Sequence, residues 1–179
     1  MNDEERHQAA FQRPKRWWPA KEWKRVQKQK VFGITASNGE QLSFLVPKPW
    51  STALWAEEIK DKVIPFLKRV FPGRTSFVLL LDGESLLHGP AAKLAFAAGG
   101  MSVFPGWCGY SPDLNPQENV WQWAEDALRD AEQDDDSFEV FQQRALRACK
   151  RYPYGEKLVP GVTKRMQLLV DKEGCHIGK

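Results

Sequence analysis

The sequence predicts an α/β fold: a mixed sheet, one antiparallel hairpin plus parallel strands, with helices on its faces. Three observations predict it. Two β-rich runs flank Asn38-Gly39, the strongest short-range signal of a hairpin. Residues 76–82 read SFVLLLD, and a strand that apolar is usually buried on both faces, as in a parallel α/β sheet. Helical patterns alternate with the later strands, which suits crossover connections.

The elements follow in order. Residues 4–30 show no clean period and are interrupted by Pro14 and Pro19, so they read as an extended arm. Residues 31–37 and 40–46 are the expected hairpin strands, closed by Pro47 and Pro49. Ser51 or Thr52 is placed to cap a helix. Trp55, Ile59, Val63, Phe66, Leu67 and Val70 recur at three- and four-residue steps along it, which makes one apolar stripe. Pro65 should kink this helix, and Pro72-Gly73 should stop it. The apolar strand then ends at Asp82. Residues 89–98 form a short Ala-rich helix closed by Gly99-Gly100, 101–104 a short strand, and 105–114 a Pro/Gly loop. Asn115-Pro116 opens a helix to about Asp130, and two more are expected near 137–150 and 156–172.

Composition limits the function classes. The chain has 179 residues, 42% hydrophobic and 27% charged, which is globular and long enough for a real core. No window approaches the ~18 consecutive apolar residues of a membrane span. MNDEERHQ carries no apolar core of a secretory signal. Cys108, Cys149 and Cys175 are three and far apart, which argues against a disulfide framework or a CxxC zinc site. A reducing interior, nucleus or cytoplasm, is expected, not secretion. The net charge is +3, but its distribution is uneven. Residues 1–30 hold nine Lys/Arg and four acids, whereas residues 125–139 hold eight acids and one Arg. Arg13, Lys15, Arg16, Lys21, Lys24 and Arg25 surround Trp17 and Trp18. Such cations neutralise phosphates, and flat aromatics stack on bases. A solvated loop whose Trp side chains pack on the domain would read the same way.

Two carboxylates stand out by position. Asp82 closes the most apolar strand, where active-site groups of α/β sheets gather. There it has dry neighbours and is placed to hold a hard cation. A turn Asp ending a strand is the plainer account. Glu118 falls at the third position of the helix that Asn115 caps and Pro116 opens. That is a capping box in its Asn form, yet a first-turn carboxylate also reaches past the helix end toward a metal. Asp3, Glu4 and Glu5 form a third acidic cluster.

The block YSPDLNPQENVW (110–121) resembles the signature of the DDE superfamily of transposases, in its mariner-type branch. Gln117 departs from it, since that branch usually has Ile there. LLLDGESLLH (79–88) is similar to the family's strand that ends in Asp-Asn with a His beyond. Here Gly83 replaces the Asn, and His88 lies one residue further on than usual. Thirty-five residues separate Asp82 from Glu118, one more than the usual spacing. VFGITASNGEQLSFL resembles the hairpin after the family's first Asp, and NDEERHQ places that Asp at Asp3. LVPGVTKRMQLLVDKEGCHIG (158–178) is similar to the closing helix.

The resemblance implies an RNase H-like domain over 31–179, with residues 1–30 as a basic, Trp-rich arm near the DNA path. It implies that Asp3, Asp82 and Glu118 are the catalytic acids and hold two Mg²⁺ (or Mn²⁺) ions, with His88, Asp113 and Asn115 in support. It implies cleavage and strand transfer of DNA, with transposon ends and target DNA as partners, no membrane, and a homodimer kept open as the assembly. Arg13, Lys15, Arg16, Trp17, Trp18, Lys21, Lys24 and Arg25 are the expected nucleic-acid contacts. The family's first strand and a helix-turn-helix precede its first Asp, and Met1 and Asn2 leave no room for that strand. A truncated domain with impaired or absent independent transposition is therefore expected. A non-catalytic DNA-binding relic, and an RNase H-like module unrelated to transposition, are the alternatives.

Overall fold

The computed structural model describes residues 29–107, 111–130 and 137–173. The chain divides into two compact units, one of residues up to Val46 and from Asn115 onward, the other Pro47–Leu114. The fold is α/β, with one antiparallel and one parallel strand pair. Among the described residues no helix is long and apolar enough to cross a membrane.

In the first unit, β1 (Val31–Thr35) and β2 (Gln41–Leu45) pair antiparallel, Val31 opposite Leu45 and Thr35 opposite Gln41. The turn is longer than a two-residue Asn-Gly loop. Ala36 N–H bonds the Glu40 carbonyl at 2.8 Å and Gly39 N–H the Ala36 carbonyl at 2.9 Å. Asn38 Oδ1 accepts from Glu40 N–H at 3.1 Å, and Gly39 takes φ +90°, which costs glycine little. The strands are thus shorter than expected because Ala36 to Glu40 close the turn. Among the described residues the unit also holds α4 (Gln117–Asp130), α5 (Phe138–Lys150) and α6 (Gly155–Asp171). α4 packs on β1 and on α5, and α5 packs on β2. Val31, Val120, Ala124, Ala145, Cys149 and Leu158 form the buried core, lined by Trp121 and Trp123.

In the second unit, α1 (Thr52–Glu58) runs through a π-helical turn, Ile59–Val63, into α2 (Ile64–Val70). Ser51 is the cap, its hydroxyl accepting from Leu54 N–H at 3.2 Å. The expected disturbance at Pro65 takes the form of that π turn, in which Ile64 N–H reaches back to the Ile59 carbonyl. A proline ring clashes with the carbonyl four residues earlier and supplies no N–H. Widening the preceding turn relieves both and keeps the helix continuous. Trp55, Ile59, Val63, Phe66 and Leu67 are buried, as the stripe predicts. Trp55 meets Phe96 edge-on at 6.1 Å.

β3 (Phe77–Leu79) and β4 (Met101–Val103) pair in parallel, joined by a 3₁₀ turn (Ser85–His88) and α3 (Pro90–Ala98). Gly100 has φ +68°, and a side chain there would run into the Thr75 carbonyl. The apolar strand is not buried on both faces. Val78 is 67% and Leu80 49% exposed. α3 packs against β4, and alternate residues of a strand point to opposite faces; among the described residues Val78 and Leu80 are left uncovered.

Candidate active site

Asp82 lies three residues past the end of β3. The parallel ladder stops with Phe104 N–H on the Leu79 carbonyl at 2.9 Å, so residues 80–82 run on beyond it. Asp82 is exposed, which corrects the expectation of dry neighbours: the strand ends too early, and too bare on one face, to bury its last acid. One carboxylate oxygen, Oδ1, accepts from Gly83 N–H at 2.6 Å. Gly83 thus serves Asp82 through its backbone.

His88 is tied to the same residue. Its Nε2 lies 2.7 Å from the Asp82 carbonyl oxygen. A carbonyl only accepts, so Nε2 carries the hydrogen and donates it. The 3₁₀ turn bearing His88 is itself anchored, because Thr52 Oγ1 donates to the Leu86 carbonyl at 2.7 Å. The backbone of Gly89 presses on Thr52 closely enough that any side chain there would collide. A chain of short contacts therefore runs from the start of α1 through the turn to Asp82. The helix pattern pointed to Thr52 only as a possible cap; its bond spans 34 positions and leaves no local signal.

Glu118 sits in the first turn of α4, half-buried. Asn115 Oδ1 accepts from Gln117 N–H at 3.0 Å, so Asn115 caps the helix as its position predicts. Glu118 N–H and Asn119 N–H bond the carbonyls of Asn115 and Pro116, both at 3.2 Å. The residue before Glu118 does more than the sequence suggested. Gln117 is 7% exposed and its Oε1 lies 3.0 Å from Thr35 Oγ1 on β1. Thr35 Oγ1 is also 3.1 Å from Gln41 Oε1. A hydroxyl has one proton, so Thr35 donates to one glutamine at a time. Gly33 lets α4 approach: a Cβ there would fall 2.5 Å from Trp121 Cη2 and 2.8 Å from Gln117 Cδ. Gln117, Thr35 and Gly33 together dock the helix start that bears Glu118 onto the hairpin.

Asp113 is half-buried in the loop before α4, where Leu114 N–H closes a turn on the Ser111 carbonyl at 3.1 Å. Asp82, His88 and Asp113 belong to one unit, and Asn115 and Glu118 to the other. Asp3 lies outside the described residues, as do Arg13, Lys15, Arg16, Trp17, Trp18, Lys21, Lys24 and Arg25. Among the described residues no three His, Cys, Asp or Glu side chains gather into a metal-holding group. The donors present are nevertheless of the type a hard divalent cation takes. Asp82 offers an exposed carboxylate, with its neighbouring backbone pinned, and Glu118 a carboxylate on a docked helix turn.

The chain thus carries one acid beyond a strand end and another on a first helical turn. The sequence model of the DDE superfamily endonucleases matches residues 1–139, which include all three predicted acids. The chain belongs to that family. No curated protein matches it closely enough to add a relative.

Proposed function

We propose that this chain is a transposase-type catalytic domain of the mariner branch, RNase H-like in architecture, that cuts DNA strands and joins them. The observation that carries the reading is the family match over residues 1–139 together with the placement of Asp82 and Glu118 at a strand end and a first helical turn. Asp3, Asp82 and Glu118 would hold two Mg²⁺ or Mn²⁺ ions. Bound ions of this kind activate the attacking oxygen and stabilise the leaving one.

The chain's own residues prepare that chemistry. Asp82 keeps Oδ1 on Gly83 N–H, which fixes the carboxylate plane, while its exposure admits a cation with its waters. His88 holds the Asp82 carbonyl. Asn115 and Gln117 fix the first turn of α4, so Glu118 meets its ligand at low cost in side-chain ordering. The substrate in this reading is DNA, its phosphates drawn by the basic arm. Asp113 supports the loop before α4.

The test is nicking of supercoiled plasmid by the full chain with Mg²⁺ or Mn²⁺. Asp82→Asn and Glu118→Gln should each abolish it, while DNA binding in chelator persists. Nicking that survives both changes refutes the ligand assignment. A wild-type chain that binds DNA in chelator but never cuts it is the DNA-binding relic instead.

A further inference from the structure

The side of α5 turned away from the core carries a row of cations. Ala145 and Cys149 are 1% and 0% exposed and mark the buried side of the helix. At about 100° per residue, positions 147, 150 and 151 fall on the opposite side, and Arg147, Lys150 and Arg151 are all exposed. Arg147 Nε donates to the Gln143 carbonyl at 3.3 Å. Among the described residues no carboxylate pairs with any of the three. Between residues 144 and 157 five cations stand against one acid, Glu156.

An aromatic ring continues this row. Tyr154, in the link to α6, is 51% exposed. Lys157 Nζ lies 5.1 Å from its ring centroid, and Tyr152 meets it edge-on at 6.0 Å. A helix C-terminus attracts cations through its dipole, which accounts for Lys150 and Arg151. It accounts for Arg147 too, which lies in the same last turn, but not for an exposed ring braced beside a lysine. Cations with an accessible aromatic are the pattern of a nucleic-acid surface. At ~1.5 Å per residue, positions 147 to 151 span about 6 Å, a length over which each strand of a duplex presents about two phosphates, at ~3.4 Å of helix axis each.

We infer that Arg147, Lys150, Arg151, Tyr154 and Lys157 form a DNA-backbone contact surface. It lies C-terminal in sequence to the residues matched by the family, 1–139. The inference rests on the reading of DNA as substrate, and it adds where that DNA is held.

The experiment is equilibrium binding of the full chain to a fluorescent DNA duplex in chelator, titrated over roughly 50–200 mM salt. Each lost phosphate contact lowers the slope of log K against log salt by ~0.9. R147Q/K150Q/R151Q should therefore flatten it by about 2.7, with an unchanged circular-dichroism melt. K60Q/K68Q/K93Q removes the same charge from exposed lysines of the other unit and should leave the slope as it is. The charge-keeping variant R147K/K150R/R151K should retain the wild-type slope. If the triple glutamine variant does not fold, K150Q alone should still flatten the slope by ~0.9. A wild-type slope in the α5 variants, or equal flattening by the control, overturns the surface while leaving the endonuclease reading standing. A wild-type chain with no affinity for DNA overturns both. Binding to polyglutamate as tight as to DNA, lost in the same variant, assigns the face to an acidic protein segment and overturns it as a DNA site.

Discussion

Gly33→Ala probes the docking of α4 on the hairpin with a single methyl group. Gly33 lies in β1 with ordinary extended backbone, so the added Cβ meets a problem of space alone. It would sit 2.5 Å from Trp121 Cη2 and 2.8 Å from Gln117 Cδ. Carbon pairs prefer about 3.5–4.0 Å, so both side chains must retreat by roughly 1 Å. Gln117 is 7% exposed and Trp121 lines the core, so neither has open space to take. Overpacking of this kind costs about 1–3 kcal/mol. Moving Gln117 also strains its 3.0 Å contact with Thr35, a bond worth about 0.5–1.5 kcal/mol. The expected destabilisation is about 2–4 kcal/mol, or roughly 5–15 °C in Tm at ~2–4 °C per kcal/mol for a chain this long. Because Gln117 precedes Glu118, metal-dependent nicking should fall further than the lost stability explains at a temperature where the variant is folded. Gly161→Ala is the control. It makes the same chemical change inside α6, where the added Cβ meets only the end of Arg165 at 3.3 Å. Removing a mid-helix glycine should stabilise by about 0.5–1 kcal/mol. Thermal melts of the two variants decide the matter. A Gly33→Ala melt at or above the wild type would refute the close approach of β1 and α4.

Three further outcomes are expected. His88→Phe removes the donor to the Asp82 carbonyl and should weaken Mn²⁺ affinity and nicking by about 10–100-fold, the usual cost of losing a partner behind a ligand. His88→Gln keeps an N–H donor and should recover part of that loss, whereas equal loss in both variants would deny the positioning role. Burial of Cys149 pushes its thiol up from 9.0 to about 12, so between about pH 9 and 12 the unfolded chain loses that proton and the folded chain keeps it. Stability should fall with rising pH over that window and be fully present below it; urea melts at pH 8 and 10 read this, and Cys149→Ala should lack that component. Thr52→Val and Thr35→Val each remove a hydroxyl hydrogen bond and should each cost about 1 kcal/mol; a melt at the wild-type temperature in either variant would contradict the bond it removes.

Much of the fold was legible because its signals are local. The stripe from Trp55 to Val70, the hairpin around Asn38-Gly39, the Gly99-Gly100 stop and the Asn115 cap each rest on residues a few positions apart. Each has a backbone cause that acts within a turn or two. Boundaries were less legible where two local signals competed. The hairpin strands lost residues to the turn because Asn38 and Gly39 both serve it, and Pro65 disturbed its helix by widening a turn. The apolar run at 76–82 misled on burial. Its composition says that the strand is hydrophobic, but how many faces are covered depends on which partners surround the sheet, and a sequence window carries no record of that.

The candidate acids divide along the same line. Asp82 and Glu118 stood out by local position, one beyond a strand and the other on a capped first turn, and by the blocks that resemble the family. What holds them did not. Thr52 reaches Leu86 across 34 positions, and Thr35 reaches Gln117 across 82. Neither pairing leaves a period or a motif, since either partner alone reads as an ordinary polar residue. The departure at Gln117 from the family's usual Ile was the one visible mark, and it now has a physical account. An apolar side chain would fill the same place against Gly33 and Trp121, but the amide also accepts a hydrogen bond from Thr35. The amide makes the orientation of the first turn of α4 specific as well as close, at the cost of a buried Nε2 with no hydrogen-bond partner among the described residues. A chain that accepts such a cost beside Glu118 gains direction at that turn, and a carboxylate that binds a cation must meet it within a few tenths of an ångström.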